Sequence, residues 1–189
     1  MRFEDTKRAV RDALCSVFGQ VDGWFDRDEA LRAFRPESGG WSIDQVLEHI
    51  TLTNRFLMMT LHKWSVIAVQ RARRGDLLPD AESDLDRLNA IGERGSFGWE
   101  RPEHMEPTGL PKSAEIRRLL HEQLGECLIV LERIGGGVGA LCRVTMTVNQ
   151  LGKIDLYQWL YFIAQHARRH LAQMEAIEAE FSSLPASIR

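Results

Sequence analysis

Four stretches of the chain place apolar side chains three and four residues apart, the period of a helix with one buried face. In the first, 3–18, the stripe is Val10, Ala13, Leu14, Val17 and Phe18. A loop over 19–40 follows, with a short helical piece at 28–34 closed by Pro36, Gly39 and Gly40. Ser42 with Gln45 three residues on has the form of a capping box, so a second helix begins there. Its stripe runs through Val46, Ile50, Leu57, Leu61, Trp64 and Ala68, and it ends near Gly75. The basic residues Arg71, Arg73 and Arg74 just before that end complement a helix dipole, which accounts for them without a nucleic-acid partner.

The polar segment 76–112 contains Pro79, Pro102, Pro107 and Pro111 and is unusually long for a connection inside one domain. It can run the length of a bundle, which allows the second and third helices to lie parallel. The third helix is expected from a Ser113 cap to about 134, with Ile116, Leu119, Leu120, Cys127, Val130, Leu131 and Ile134 on its face. Gly135, Gly136 and Gly137 stop it. Residues 141–148 have strand-like composition but no evident pairing partner, and read as an extended connection. Asp155 with Gln158 forms a second capping box, opening a fourth helix over 156–181. The pattern predicts an all-α protein, a helical bundle with a long crossover between helices two and three, as a single domain over 1–189.

Composition narrows the partners. The apolar and charged fractions, 44% and 27%, suit a globular chain with its own core, and 189 residues suffice to bury one. A net charge of −3 and a pI of about 6.1 argue against nucleic acid, which requires clustered Lys and Arg. The apolar stretches are too short and interrupted for a membrane span. Cys15, Cys127 and Cys142 are odd in number and lack CxxC spacing, and the first residues carry no apolar leader; a reducing cytoplasm is expected.

One constellation carries chemistry. His166 and His170 are four residues apart in QHARRH, so on a helix both imidazoles share a face and can ligate one ion. His49 sits at the edge of the apolar stripe of the second helix, and only the fold can bring it to them. Three histidines leave positions open, the layout of a catalytic rather than a closed structural site. Imidazole suits zinc, nickel, copper and iron alike. Taken alone, HxxxH does not separate a metal site from two buried, hydrogen-bonded imidazoles. It is also not the zinc-protease motif, because Ala167 stands where that motif has its Glu. No catalytic acid, base or nucleophile is assignable. His62, His104 and His121 read as surface or structural residues.

These residues resemble the DinB-like superfamily of metal-dependent enzymes, also called the YfiT/DinB fold. That family opens its second helix with Trp-Ser and then a His, here Trp41, Ser42 and His49. It closes with a Gly, a Trp-Leu pair, HxxxH and a Gln, here Gly152, Trp159, Leu160, His166, His170 and Gln173. The likeness spans about 1–180 and is strongest over 41–57 and 149–178. It implies a four-helix bundle in up-down-down-up order, in keeping with the long crossover. It implies one divalent ion, zinc or nickel, held by His49, His166 and His170, and a homodimer acting on a small-molecule substrate. Relatives include S-transferases that use low-molecular-weight thiols such as bacillithiol, and a mycothiol-dependent isomerase. The expected activity is thus activation of a small thiol (S-transferase) or of water (hydrolase). The alternative is non-catalytic metal or ligand binding in a stress response. Gln173, farther along the same side of the fourth helix, is the candidate for contacting a cofactor or ligand; Arg169 lies farther round and reads as solvated. Many relatives carry a His-Pro pair before the closing Gly, whereas this chain has Val148, Asn149, Gln150 and Leu151.

Overall fold

The computed structural model describes residues 3–37, 39–80, 83–93, 95–96 and 102–185. The α-helices among them are α1 (Glu4–Asp22), the short α2 (Glu29–Ala33), α3 (Ile43–Arg73), α4 (Ser113–Arg133) and α5 (Leu156–Ser183). The four long ones correspond to the four periodic stretches. α3, at 31 residues, is about 46 Å long at 1.5 Å per residue. α1 packs on α4 and α5, and α3 packs on α4 and α5, around a shared core that includes Leu14, Phe18, Ile50, Leu61, Leu120 and Phe162. Burying each such side chain contributes about 1.5–3 kcal/mol. Buried polar groups also join α3 to α4: Asn54 donates to the Gln123 side chain at 3.2 Å, and Gln123 donates to the Thr51 carbonyl at 2.9 Å. No helix among the described residues is long and apolar enough to cross a membrane.

Both capping boxes are present. The Ser42 hydroxyl accepts from Gln45 N–H at 3.3 Å while the Gln45 side chain accepts from Ser42 N–H at 3.1 Å. The Asp155 carboxylate accepts from Gln158 N–H and the Gln158 side chain accepts in return, both at 3.0 Å. Ser113, expected as the third cap, is instead the first residue of α4, after Lys112, and its hydroxyl accepts from Arg32 at 2.8 Å. The first helix runs past the expected 18 to Asp22, because Val21 continues its buried stripe.

The segment 141–148 is corrected. It contains a strand, β1 (Arg143–Met146), that pairs antiparallel with β2 (Gly152–Asp155), Arg143 opposite Asp155 and Met146 opposite Gly152. The turn between them uses left-handed backbone at Asn149 and Gln150, φ 48° and 53°. The last residue of β2 is the cap of α5, so the hairpin delivers the chain directly into that helix.

The helix stop after α4 is anchored to the start of α5. The Tyr157 hydroxyl donates to the Ile134 carbonyl at 2.5 Å and accepts from Gly137 N–H at 3.1 Å. Gly137 has φ 94°, and a Cβ there would lie 2.8 Å from the Phe3 ring, so both conformation and space require glycine. Two described turns of the connection 76–112 pack on helices. The 3₁₀ turn Asp86–Gly92 packs on α5. There Arg87 donates to the Leu151 carbonyl at 2.6 Å and Tyr161 donates to Asn89 at 3.0 Å. A second turn, Glu103–Met105, packs on α3.

Candidate metal centre

His49 stands in the second turn of α3. The cap at Ser42 fixes where the helix begins, and Ile43, Val46, Leu47 and Ile50, all buried, fix which way it faces. His49 therefore points inward. His166 and His170 stand one turn apart on α5, set in phase by the cap at Asp155 and the buried Phe162, Ile163 and Ala167. His166 has no exposed surface at all; His49 and His170 are buried at 5% and 8% exposure. The structure brings the three together: the ring centroids of His49 lie 5.4 Å from His166 and 4.8 Å from His170, and those of His166 and His170 are 4.6 Å apart.

The ring nitrogens suit a cation. One ligand atom from each histidine lies within 4.8 Å of the others. The Nε2 atoms of His166 and His170 are 3.1 Å apart, against about 3.3 Å for two nitrogens at zinc-bond length on a tetrahedral ion. His49 Nδ1 is 2.7 Å from the Met105 carbonyl. A carbonyl only accepts, so Nδ1 carries the proton and Nε2 keeps its lone pair. His170 Nδ1 likewise donates to Gln173 Oε1 at 2.9 Å, again leaving Nε2 as the electron-pair donor. Burial, followed by the electrostatic influence of His170, His49 and Arg169, holds the His166 pKa well below its ordinary value. The neutral imidazole so favoured is the form that binds metal. Among the described residues no further His, Cys, Asp or Glu joins the group.

Around the histidines lies a support that the sequence did not reveal. Glu48, next to His49 and only 3% exposed, turns its carboxylate to the 103–110 segment. It accepts from Thr108 N–H at 2.9 Å, from the Thr108 hydroxyl at 2.8 Å and from Gly109 N–H at 2.7 Å. These bonds hold the segment whose Met105 carbonyl orients His49. The usable signal was an acid directly beside the histidine among the buried positions Val46, Leu47 and Ile50 of α3; its partners, mostly main-chain groups, carry no sequence signature. Trp41 packs on His49 with ring centroids 4.7 Å apart, and Thr53 Oγ1 is 3.5 Å from His49 Nε2.

A cavity of about 310 Å³ opens onto the cluster, lined by Gly39, Gly40, Trp41, His49, Met105, Arg169, His170 and Gln173. Gln173 thus both lines the cavity and orients His170. Arg169, expected to be solvated, also lines it; its guanidinium donates to the Glu93 carbonyl at 2.5 Å. The other sequence histidines lie outside the group: His62 meets Glu126 at 3.0 Å, His121 meets Asp22 at 2.7 Å, and His104 lies against Phe56. Trp159 is a core anchor whose indole donates to the Leu57 carbonyl at 3.0 Å.

A family model described as the DinB superfamily matches residues 8–174, a span that includes every residue of the histidine group and Gln173. Comparison with curated proteins and with solved structures returns no match.

Proposed function

The chain belongs to the DinB superfamily, and on that premise we propose that it is a metalloenzyme holding one divalent ion through His49, His166 and His170. The observation that carries this is the convergence of the three rings, with the Nδ1 protons of His49 and His170 donated to fixed acceptors and their Nε2 atoms left as ligands. Zinc or nickel is the ion we favour. Such an ion supplies Lewis acidity that lowers the pKa of a thiol or a water at neutral pH.

The remaining work falls to the chain. His49 is aimed by the Met105 carbonyl and His170 by Gln173. Trp41 walls one side of the cavity and shields His49 from water. With no fourth His, Cys, Asp or Glu in the group among the described residues, a position is left for a small nucleophile, as in catalytic sites. We favour a low-molecular-weight thiol in an S-transferase reaction, with water in a hydrolase as the other candidate. The same reading carries an up-down-down-up four-helix bundle forming one domain over 1–189, a homodimer, a cytoplasmic setting, and a small-molecule substrate rather than nucleic acid or membrane.

Elemental analysis of protein purified without a histidine tag should give about one ion per chain. His166→Ala and His170→Ala should lose it while keeping a helical circular dichroism spectrum. Full metal content in both variants would refute the assignment. The metal-loaded protein is then assayed with monobromobimane against bacillithiol, mycothiol, glutathione and water in separate reactions. Transfer with one thiol, lost in His170→Ala, supports the transferase; turnover of an ester panel without thiol supports the hydrolase. Metal binding without any turnover points to the non-catalytic stress-response role.

A further inference from the structure

We propose that the Thr53 hydroxyl donates a hydrogen bond to the small anion that completes the metal site, so that the open position favours donor atoms with a lone pair to spare: a thiolate, a hydroxide or azide. The inference rests on the metal-site reading and names a further residue that touches the ligand.

Placement is the first argument. Thr53 follows His49 by one helical turn on α3, so the two side chains share a face. Thr53 has no exposed surface, and its Oγ1 stands 3.5 Å from His49 Nε2. Nε2 is the nitrogen that keeps its lone pair, because Nδ1 gives its proton to the Met105 carbonyl. The hydroxyl therefore stands beside the very atom assigned to the ion.

The second argument is where its proton goes. Buried Ser and Thr on a helix commonly donate to a main-chain carbonyl one turn back. Two neighbours on α3 do so: Thr51 donates to the Glu48 carbonyl at 2.8 Å, and Ser65 to the His62 carbonyl at 2.9 Å. Thr53 departs from that habit. Among the described residues its hydroxyl meets His49 alone, and 3.5 Å is long for an O–H···N bond. A hydroxyl sealed in the protein without a full-strength partner is costly, and valine has nearly the same shape without that cost. Packing alone gives no reason for a hydroxyl at this position.

A ligand gives one. An ion on Nε2 occupies the lone pair that Thr53 now faces, so the hydroxyl proton must turn to another acceptor. The groups that aim the rings, the Met105 carbonyl and Gln173 Oε1, already accept the Nδ1 protons of His49 and His170. An anion bound beside His49 offers fresh lone pairs, in low-dielectric surroundings where a bond to a charged acceptor is strongest.

The test uses full-length protein loaded with cobalt(II), whose visible absorption reports the ligands of the ion. Cobalt content is determined on every sample, cobalt affinity by competition with a chelator, and helicity by circular dichroism. Two probes are titrated: azide, whose bound nitrogen keeps lone pairs, and imidazole, whose bound nitrogen has none left. Thr53→Val should weaken azide by about tenfold, the effect of losing a hydrogen bond to a charged acceptor, and leave imidazole and cobalt affinity within about twofold of wild type. Thr53→Ser keeps the hydroxyl and should hold azide within about threefold. Should Thr53→Val not fold, Thr53→Ala removes the same hydroxyl and carries the same expectations. Unchanged azide affinity in Thr53→Val overturns the proposal, as does an equal loss of azide and imidazole, or a loss in Thr53→Ser as large as in Thr53→Val. Cobalt affinity that falls by about tenfold or more in Thr53→Val alone would make the hydroxyl a ligand of the ion itself, which also overturns it. Wild-type protein that takes up no cobalt refutes the metal reading and this assignment with it; cobalt uptake with azide affinity indifferent to Thr53 refutes the assignment alone.

Discussion

Glu48 offers a way to test the support around the site without touching a proposed ligand. Its carboxylate accepts three hydrogen bonds from Thr108 and Gly109. Bonds to a charged acceptor contribute about 1.5–3 kcal/mol each when their loss strands a buried group. Here Thr108 and Gly109 are themselves exposed, so water re-solvates those donors once the segment lifts away. Removing the buried carboxylate also removes its own desolvation cost. The net destabilisation expected for Glu48→Ala is thus about 2–3 kcal/mol rather than the sum of three bonds. Glu48→Gln is the sharper variant. Its amide has one oxygen and one NH₂ group, so at least one N–H of the segment must face another donor, at an expected cost of about 1–2 kcal/mol. If the segment slackens, the Met105 carbonyl stops fixing the His49 ring, and metal affinity should fall by about tenfold or more, the usual effect of losing such an outer partner. Urea unfolding of metal-free protein measures the first quantity, and competition with a calibrated chelator measures the second. An unchanged urea midpoint together with unchanged metal affinity in Glu48→Gln would refute the reasoning. Lost stability with unchanged metal affinity would show that Glu48 holds the segment but that His49 needs no help from it.

Two other perturbations have readable outcomes. Tyr157→Phe strands the Gly137 N–H, while the Ile134 carbonyl keeps its bond from Gly139 N–H at 3.0 Å, and should lower stability by about 1–3 kcal/mol in urea or thermal unfolding; no loss would mean that the turn re-pairs by itself. Of the three cysteines, Cys15 is exposed while Cys127 and Cys142 are buried, so a thiol reagent should titrate one group quickly in native protein and three in denaturant. Burial pushes the Cys127 thiol up to about 12 from 9.0. Above pH 9 the unfolded chain releases that proton and the folded chain retains it. Stability should therefore decline by up to about 1.4 kcal/mol per pH unit from this group as pH rises from 9 towards 12, and Cys127→Ala should lack that component.

Much of the site was legible because helices convert spacing into direction. A capping box at Ser42 and another at Asp155 set the start of each helix, and from there the 3.6-residue period sends His49, His166 and His170 to the buried side. Elements that depend on pairing were not legible in the same way. The β1–β2 hairpin is closed by left-handed Asn149 and Gln150, without the Asn-Gly or Asp-Gly pair that would announce it. Ser113 has the chemistry of a cap, yet its hydroxyl is engaged by Arg32 from a distant part of the chain. Arg169 could not be placed in the cavity from α5 alone, because its orientation depends on a carbonyl of the crossover.

The acceptor that aims His49 is the main-chain carbonyl of Met105, not a side chain. No amino-acid replacement at 105 can delete that oxygen, so the bond is insulated from ordinary point mutation at its own position. Its vulnerability is to changes in spacing. An inserted or deleted residue between 105 and 109 would shift the carbonyl away from α3 while Glu48 still grips Thr108 and Gly109. In lineages that keep this site, the conserved property should be the number of residues between the carbonyl and the clamp, together with the hydroxyl at 108 that Glu48 holds.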